Sequence, residues 1–366
     1  MIGYNDEVYS SVRALSLKGS LLPPSTLMDL IESKNLEELV TRLQATIYQP
    51  QVSQIEKPYS ALKLEFAFRS HLANIHYNLM RVSPGGELLK AYYYKYIIFN
   101  LKVILKGKAL KREFDELLSR VDMHAEELIG RRDLIVRALT ANTLEGVGEL
   151  LKGGDFGDEV LSSIKAYNQI KNLQIFDLYL DGAFLKKLME AYLSLEEGLK
   201  GASSEYKIQR PFMFSDVENY NVSSLLALDV DSYNTLTVLR GKLWGLNPSD
   251  LRSLIIKPTF SVGLEVLNKM IALEALPEAI KLLNQTPYSN LLPSTLDEDS
   301  LSHLDRSFSL LIYKRANSLL LSFSGGLSSS YSLIKLKELE VKNLSAIAFG
   351  VEQGISPENL KKKLIR

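Results

Sequence analysis

One short pattern recurs three times along this chain with its internal spacing unchanged. It reads "NLKVILKG" from Asn100 to Gly107, "NTLTVLRG" from Asn234 to Gly241 and "NLSAIAFG" from Asn343 to Gly350. Repetition constrains the fold more than any single motif, because each copy must be one supersecondary unit that buries its apolar face against its neighbours. With each asparagine as zero, position +4 is Ile104, Val238 and Ile347, and +7 is Gly107, Gly241 and Gly350. Position +17 is Leu117, Leu251 and Leu360, and +21 is Val121, Ile255 and Leu364. At +13 and +14 the second and third copies read Asn247-Pro248 and Ser356-Pro357, an N-cap residue followed by proline in the first helical turn. The first copy has Glu113-Phe114 there and departs from that cap.

Positions +1, +4 and +5 make one apolar helical stripe with the asparagine beside it. A partly buried amide is costly unless paired, so each asparagine is expected to bond the backbone of a neighbouring helix. Each glycine is expected either in a left-handed C′ position or at a close helix contact. All six residues read as fold-specifying rather than catalytic.

An upstream signature supports the repeat. Leu43-x-x-Thr46-x-Tyr48 matches Leu283-x-x-Thr286-x-Tyr288, and "LEGVGELLKGGDF", with Gly153 and Phe156, takes the equivalent place in the middle copy. From the leucine to the asparagine is 57 residues in the first copy (Leu43 to Asn100) and 60 in the third (Leu283 to Asn343). Counted from Leu150 to Asn234 it is 84 in the second. The excess falls on residues 201–225, read as a long loop inserted in the middle copy. The spacing therefore predicts three helical repeats, 1–125, 126–257 and 258–366. Asn35, with Glu38 three residues on, heads "NLEELVTRLQATIY" as a capping box. Period-two strands flanked by turns are scarce, so the fold class is all-α.

Composition narrows the function. Lys+Arg and Asp+Glu are both 43, which leaves no global positive field for nucleic acid or an anionic surface. There is no cysteine, which excludes disulfides, thiolate metal sites and cysteine nucleophiles. No apolar run approaches the ~18 residues of a membrane span; the best candidate, residues 307–323, is broken by Lys314 and Arg315. The N-terminus lacks the apolar core of a signal peptide, so the chain reads as soluble and intracellular.

Catalytic patterns are missing. Gly107-Lys108 and Gly241-Lys242 lack both the earlier glycine and the following Ser or Thr of a phosphate loop. His71 and His76 are five apart and fall on different helix faces, and His124 with Glu127 has no further ligand nearby, so no metal or other cofactor is expected. The aromatic run "AYYYKYIIF" reads as helix packing, and "SFSGGLSSSYS" as a flexible turn broken at Gly325-Gly326. The basic clusters "LKGKALKR" and "NLKKKLIR" read as helix C-terminal charge, with a docking surface for an acidic partner as the sharper alternative.

Taken together, "YSSVRALSLKGSLL", "LEELVTRLQATIY" and the three Asn-x6-Gly helices resemble the C subunit of archaeal A-type ATP synthases, with its bacterial V-type equivalents and the homologous d subunit of the vacuolar ATPase. The likeness spans essentially the whole chain. The first copy's lost cap and the middle copy's degenerate Thr-x-Tyr depart from exact symmetry. The resemblance implies a funnel or bowl of three similar helical domains about a pseudo-threefold axis. It implies a non-catalytic central-stalk component on the cytoplasmic face of the membrane, peripheral through the proteolipid rotor ring. Its socket would hold the shaft, or D subunit, accompanied by the F subunit, so that torque passes between ATP chemistry and proton or sodium transport. Two rivals are a helical-repeat adaptor of another assembly, expected as an open solenoid, and an α-helical enzyme using acidic groups such as Asp297–Ser300.

Overall fold

Long helices carry the asparagine-to-glycine stretches, and the same tight turn and short helix follow each one. The computed structural model describes residues 4–83, 85–205, 216–297, 299–322 and 325–365, and every regular element among them is helical. Helix α1 (Tyr4–Lys18) precedes α2 (Pro24–Ile31), α3 (Leu36–Leu43), α4 (Gln49–Val52), α5 (Ala61–Val82), α6 (Gly86–Tyr93), α7 (Lys95–Ala109) and α8 (Phe114–Leu118). A single turn, α9 (His124–Leu128), leads into α10 (Arg132–Thr140), α11 (Leu144–Leu151), α12 (Gly157–Ile170), α13 (Ile175–Glu205), α14 (Asp216–Leu243) and α15 (Pro248–Leu254). Then come α16 (Leu264–Ala272), α17 (Leu276–Lys281), two 3-10 turns, α18 (Asp299–Leu321), α19 (Gly326–Glu352) and α20 (Pro357–Lys363).

Three local readings need correction. Residues 201–205 complete α13 and 216–225 open α14, so only 206–215 of the expected 201–225 loop lie outside the described residues. Helix continues there because Val222, Leu225 and Leu226 bury at helical spacing. The serine run after Gly325 is no flexible turn: Ser328, Ser329, Ser330 and Ser332 are fully buried in α19. Glu218, itself buried, accepts the N–H of Leu327 (2.8 Å) and of Ser328 (3.2 Å) and so caps that helix. In the middle copy Leu150 is 47% exposed whereas Leu151 is buried, so the true register is Leu151-x-x-Gly154-x-Phe156. The turn bond identifies it: Gly154 N–H donates to Leu151 O at 3.0 Å, as Thr46 does to Leu43 and Thr286 to Leu283. Asn35 does cap α3, its side chain accepting Glu38 N–H at 2.9 Å; Glu38 reaches back to Lys34 N–H, one residue short of the reciprocal bond.

The chain divides into two compact units, one of Met1–Leu89, Gly198–Leu225 and Ser309–Arg366, the other of Lys90–Glu197 and Leu226–Phe308. In the first unit α1 and α5 pack along α19, with α2, α3 and α20 against its other sides. Helix α19 is buried on nearly every face, and its small serines let neighbours approach: Ser83, ending α5, shares a 2.6 Å hydrogen bond with Ser330. In the second unit α7 packs against α9, α10 and α11. Lys102 and Lys106 of α7 meet Asp181 (2.8 Å) and Asp177 (2.7 Å) of α13. Burial opposes the Lys102 charge, but the two carboxylates outweigh it and hold its pKa above the usual value.

Each repeat motif closes into the same hairpin. The Asn234 side chain donates to Ile256 O (3.0 Å) and accepts Ile256 N–H (2.8 Å). The Asn343 amide does the same with Ile365, at 2.8 and 2.9 Å. Asn100 donates to Asp122 O (2.7 Å) and adds a bond to Glu126 Oε1 (2.8 Å). In every copy the backbone partner lies 22 residues downstream. Gly107, Gly241 and Gly350 are buried inside their helices, where a Cβ would overlap the side chains of Leu117, Leu251 and Leu360. Close contact, and not a left-handed C′ position, is therefore what these glycines supply. The left-handed residue comes at +11: Gly245 (φ 80), Gly354 (φ 65) and, in the first copy, Lys111 (φ 57). The next N–H then donates back to the +7 carbonyl in all three copies, at 2.8–2.9 Å, which closes a Schellman turn.

Asn234→Leu would strand both polar groups of Ile256 in the core, at about 1–3 kcal/mol each. Gly241→Ala forces Leu251 aside, for about 1–3 kcal/mol. Urea unfolding of the full chain should therefore place both variants below the parent, with Asn234→Leu the lower; parent-like midpoints would mean the hairpin does not depend on either residue.

Candidate functional site

Three residues before each hairpin asparagine sits the group that joins one copy to another. In the second copy it is Asp231, in the third Glu340 and in the first Ile97. Asp231 Oδ2 accepts the Tyr288 hydroxyl at 2.7 Å, and its carboxylate also takes the backbone N–H of Val262 (3.2 Å) and Ser261 (3.0 Å). Glu340 Oε1 accepts the Tyr48 hydroxyl at 2.7 Å while Oε2 takes Leu22 N–H at 2.6 Å. Tyr48 and Tyr288 are the tyrosines of the upstream signature, and Leu22 and Val262 both lie 26 residues before them. The same latch is thus built twice. The signature threonine serves it: Thr46 and Thr286 bond back to Leu43 O and Leu283 O, and their hydroxyls accept the tyrosine N–H at 3.2 Å.

In the remaining junction the equivalent pair is Ile97 and Phe156, both buried. Carboxylate and hydroxyl are lost together, which leaves no polar group unpaired. The direction of the contacts is also consistent. Helices α2 and α3 of the first copy pack on α19 of the third, and α10 and α11 of the second pack on α7 of the first. The third copy's Tyr288 latches onto α14 of the second.

The Glu340 latch is the most elaborate. Lys337, one helical turn earlier and fully buried, donates to Glu340 Oε1 (2.6 Å) and to Ser20 O (2.8 Å), with its amine 4.9 Å from the Tyr48 ring centroid. His71 lies against the same ring at 4.7 Å. Burial pulls the Lys337 pKa down against the pull of Glu340, and burial with the Glu340 charge raises that of Tyr48. His71 falls to about 4, through burial first and the Lys337 charge second. A buried pair of this kind adds little net stability, but every alternative register would leave a charge unpaired.

The other singled-out residues are structural. His76 is buried with its Nε2 at 2.9 Å from Leu89 O, and Tyr92, Tyr93, Tyr96, Ile97 and Ile98 of the aromatic run are core. Lys242 donates to the carbonyls of Ile271 and Leu273 that end α16, and so serves helix charge. Among the described residues no group of three or more His, Asp and Glu is placed to hold a metal ion, and no helix is long and apolar enough to cross a membrane.

The model of the family described as ATP synthase (C/AC39) subunit matches residues 11–363. The chain is similar to the A-type ATP synthase C subunit of Methanocaldococcus jannaschii, 25% identical with 98% of this chain and 86% of that protein covered. It is likewise similar to the C subunit of the A-type ATP synthase of Methanosarcina mazei, 26% identical over 99% and 94%, and to that of Thermococcus kodakarensis, 22% identical over 98% and 90%.

His71 gives the latch a pH signature. Its folded pKa lies below the unfolded value of about 6.5, so protons favour the unfolded chain as pH falls from there to about 4. The stability difference between parent and His71→Phe should shift by about 3 kcal/mol across that window, with the parent losing more in acid. Parallel pH profiles from urea unfolding would remove His71 from the latch.

Proposed function

The chain belongs to the ATP synthase (C/AC39) subunit family, and from that premise we propose that it is the central-stalk component of an A/V-type ATP synthase. On this reading it is a socket, receiving the shaft (the D subunit, with its companion the F subunit) on one side and resting on the proteolipid ring on the other. Torque passes through it between ATP chemistry and ion transport. The family is a structural subunit rather than the catalytic one, and the chain would lie on the cytoplasmic face of the membrane, held there by the ring.

The observation that carries the reading is the cyclic order of the latches. Copy two caps copy one, copy three caps copy two, and Tyr48 of copy one caps Glu340 of copy three. An open solenoid, the form expected of an unrelated adaptor, leaves its first cap and last helix unpartnered. Here both are engaged, which supports three domains, 1–125, 126–257 and 258–366, closed about a pseudo-threefold axis as a funnel. Polar latches also suit a coupling element, since fully paired buried groups resist slippage between discrete registers better than apolar contact alone.

Tagged chain purified from gently solubilised host membranes should bring down the catalytic subunits, the shaft and the proteolipid. The purified shaft protein should then bind the isolated chain at one to one. Recovery of the chain alone, together with no binding to the shaft, would sink the rotor assignment.

A further inference from the structure

The first copy departs from its sisters at several hairpin positions, and the departures face one cavity. This cavity of about 580 Å³ lies in the second unit between the turn after α7 and the α11–α12 pair; Lys108, Lys111, Arg112, Phe114, Tyr167 and Lys171 are among its lining residues. At +11 the sister copies use Gly245 and Gly354 in the left-handed conformation, whereas the first copy holds Lys111 in it. At +14 the sisters have Pro248 and Pro357, and here Phe114 stands, 44% exposed. At +8 Lys242 is spent on two helix-ending carbonyls, while the Lys108 amine makes no hydrogen bond among the described residues and has only the charge of Glu113 near it. Across the cavity Lys171 is also left-handed (φ 58), and it lies over the Tyr167 ring while bonding Asn168. Two of the three left-handed non-glycine residues described in the chain are therefore lysines lining this one space.

The fold itself accepts glycine and proline at these positions, as two copies out of three demonstrate. Replacing them by strained lysine and exposed phenylalanine works against stability, and such departures concentrate where a site is needed. Four cations line the cavity against two acids, Glu113 and Glu145. Arg112 leans on Glu116 at 3.2 Å, Glu113 acts on Lys108, and Glu145, held by Asn168 at 3.1 Å, acts on Lys171, which leaves Lys111 as the lining cation with no carboxylate assigned to it and a net positive lining. Compact amines with rotatable donors suit tetrahedral oxyanions, and a flanking aromatic ring suits an organic substituent on one.

We propose that the cavity bounded by Lys108, Lys111 and Lys171 is a binding site for a phosphoryl-bearing anion, with Phe114 beside the group that carries the phosphate. The site belongs to the first hairpin alone and is independent of the rotor role. The phosphate can come from a free small molecule or from a lipid headgroup.

The test uses the full chain, with pyrophosphate titrated calorimetrically at low salt. Saturable one-to-one binding is expected. Lys111→Gly, which installs the sisters' own residue, should weaken it at least about tenfold while leaving melting unchanged or raised. Lys361→Gln removes the same charge outside the cavity and should change affinity less than about twofold. Co-sedimentation with phosphatidic acid vesicles forms the second arm. Lys111-dependent sedimentation without pyrophosphate binding assigns the site to a headgroup, and pyrophosphate binding assigns it to a free phosphate. The proposal is overturned if neither probe binds in a Lys111-dependent way, or if Lys111→Gly and Lys361→Gln weaken binding equally.

Discussion

Everything in this fold leans on one buried amide. An asparagine side chain presents a donor and an acceptor in one plane, which is the complement of a peptide group's C=O and N–H. Asn234 and Asn343 use it to hold the residue 22 positions downstream by both of its backbone groups, as if the side chain were an added strand of one residue. No apolar side chain can do this, and an aspartate lacks the donor. Once that contact is fixed, the rest of the hairpin is determined. The intervening chain must reverse at +11, its short helix must return along the long one, and Leu at +17 must sit where a side chain at +7 would otherwise be. Glycine at +7 follows from the asparagine rather than from any local turn requirement.

This dependence explains what is legible in the sequence. The asparagine, the +7 glycine and the +17 leucine recur because each depends on the other two, and all lie within one short window. Proline at +14 is readable for the same reason. The turn at +11 is hidden because Lys111 breaks the glycine pattern in the first copy. The latches are hidden for a different reason. Tyr48 and Glu340 are 292 residues apart, and the partner position reads Ile, Asp, Glu across the copies, so no residue type repeats. Only the threonine two residues before each tyrosine hints that this turn is held for a purpose. The serines of α19 mislead because a small polar run beside a glycine pair ordinarily marks a turn; here they lie in a helix buried on nearly every face. Leu150 and Leu151 are adjacent and chemically identical, and only burial tells which one belongs to the repeat.

The three junctions show how a repeated architecture tolerates unequal chemistry. Two are closed by tyrosine on a carboxylate, and in the third the corresponding positions are held by Phe156 and Ile97, both buried. Either solution is self-consistent, whereas a mixture would leave a hydroxyl or a carboxylate unpaired in the core, at about 1–3 kcal/mol or more. The change from one to the other must therefore involve both residues, and the intact hairpin is what makes it tolerable, since the backbone is held independently by Asn100.

The same separation of duties bears on the proposed coupling role. A body that transmits torque needs its parts to hold one relative position, not merely to adhere. Apolar contacts are non-directional and permit sliding by fractions of a side chain. A carboxylate receiving a tyrosine hydroxyl and a backbone N–H has one satisfied geometry, and any displacement must break charge-assisted bonds in a low dielectric. At the junction joining the chain's first and last copies the Lys337 amine is added, bonding Glu340 on its own helix and Ser20 O of the first copy. No peptide linkage joins those two copies directly, so at this junction alone side chains must do what the covalent connection assists elsewhere.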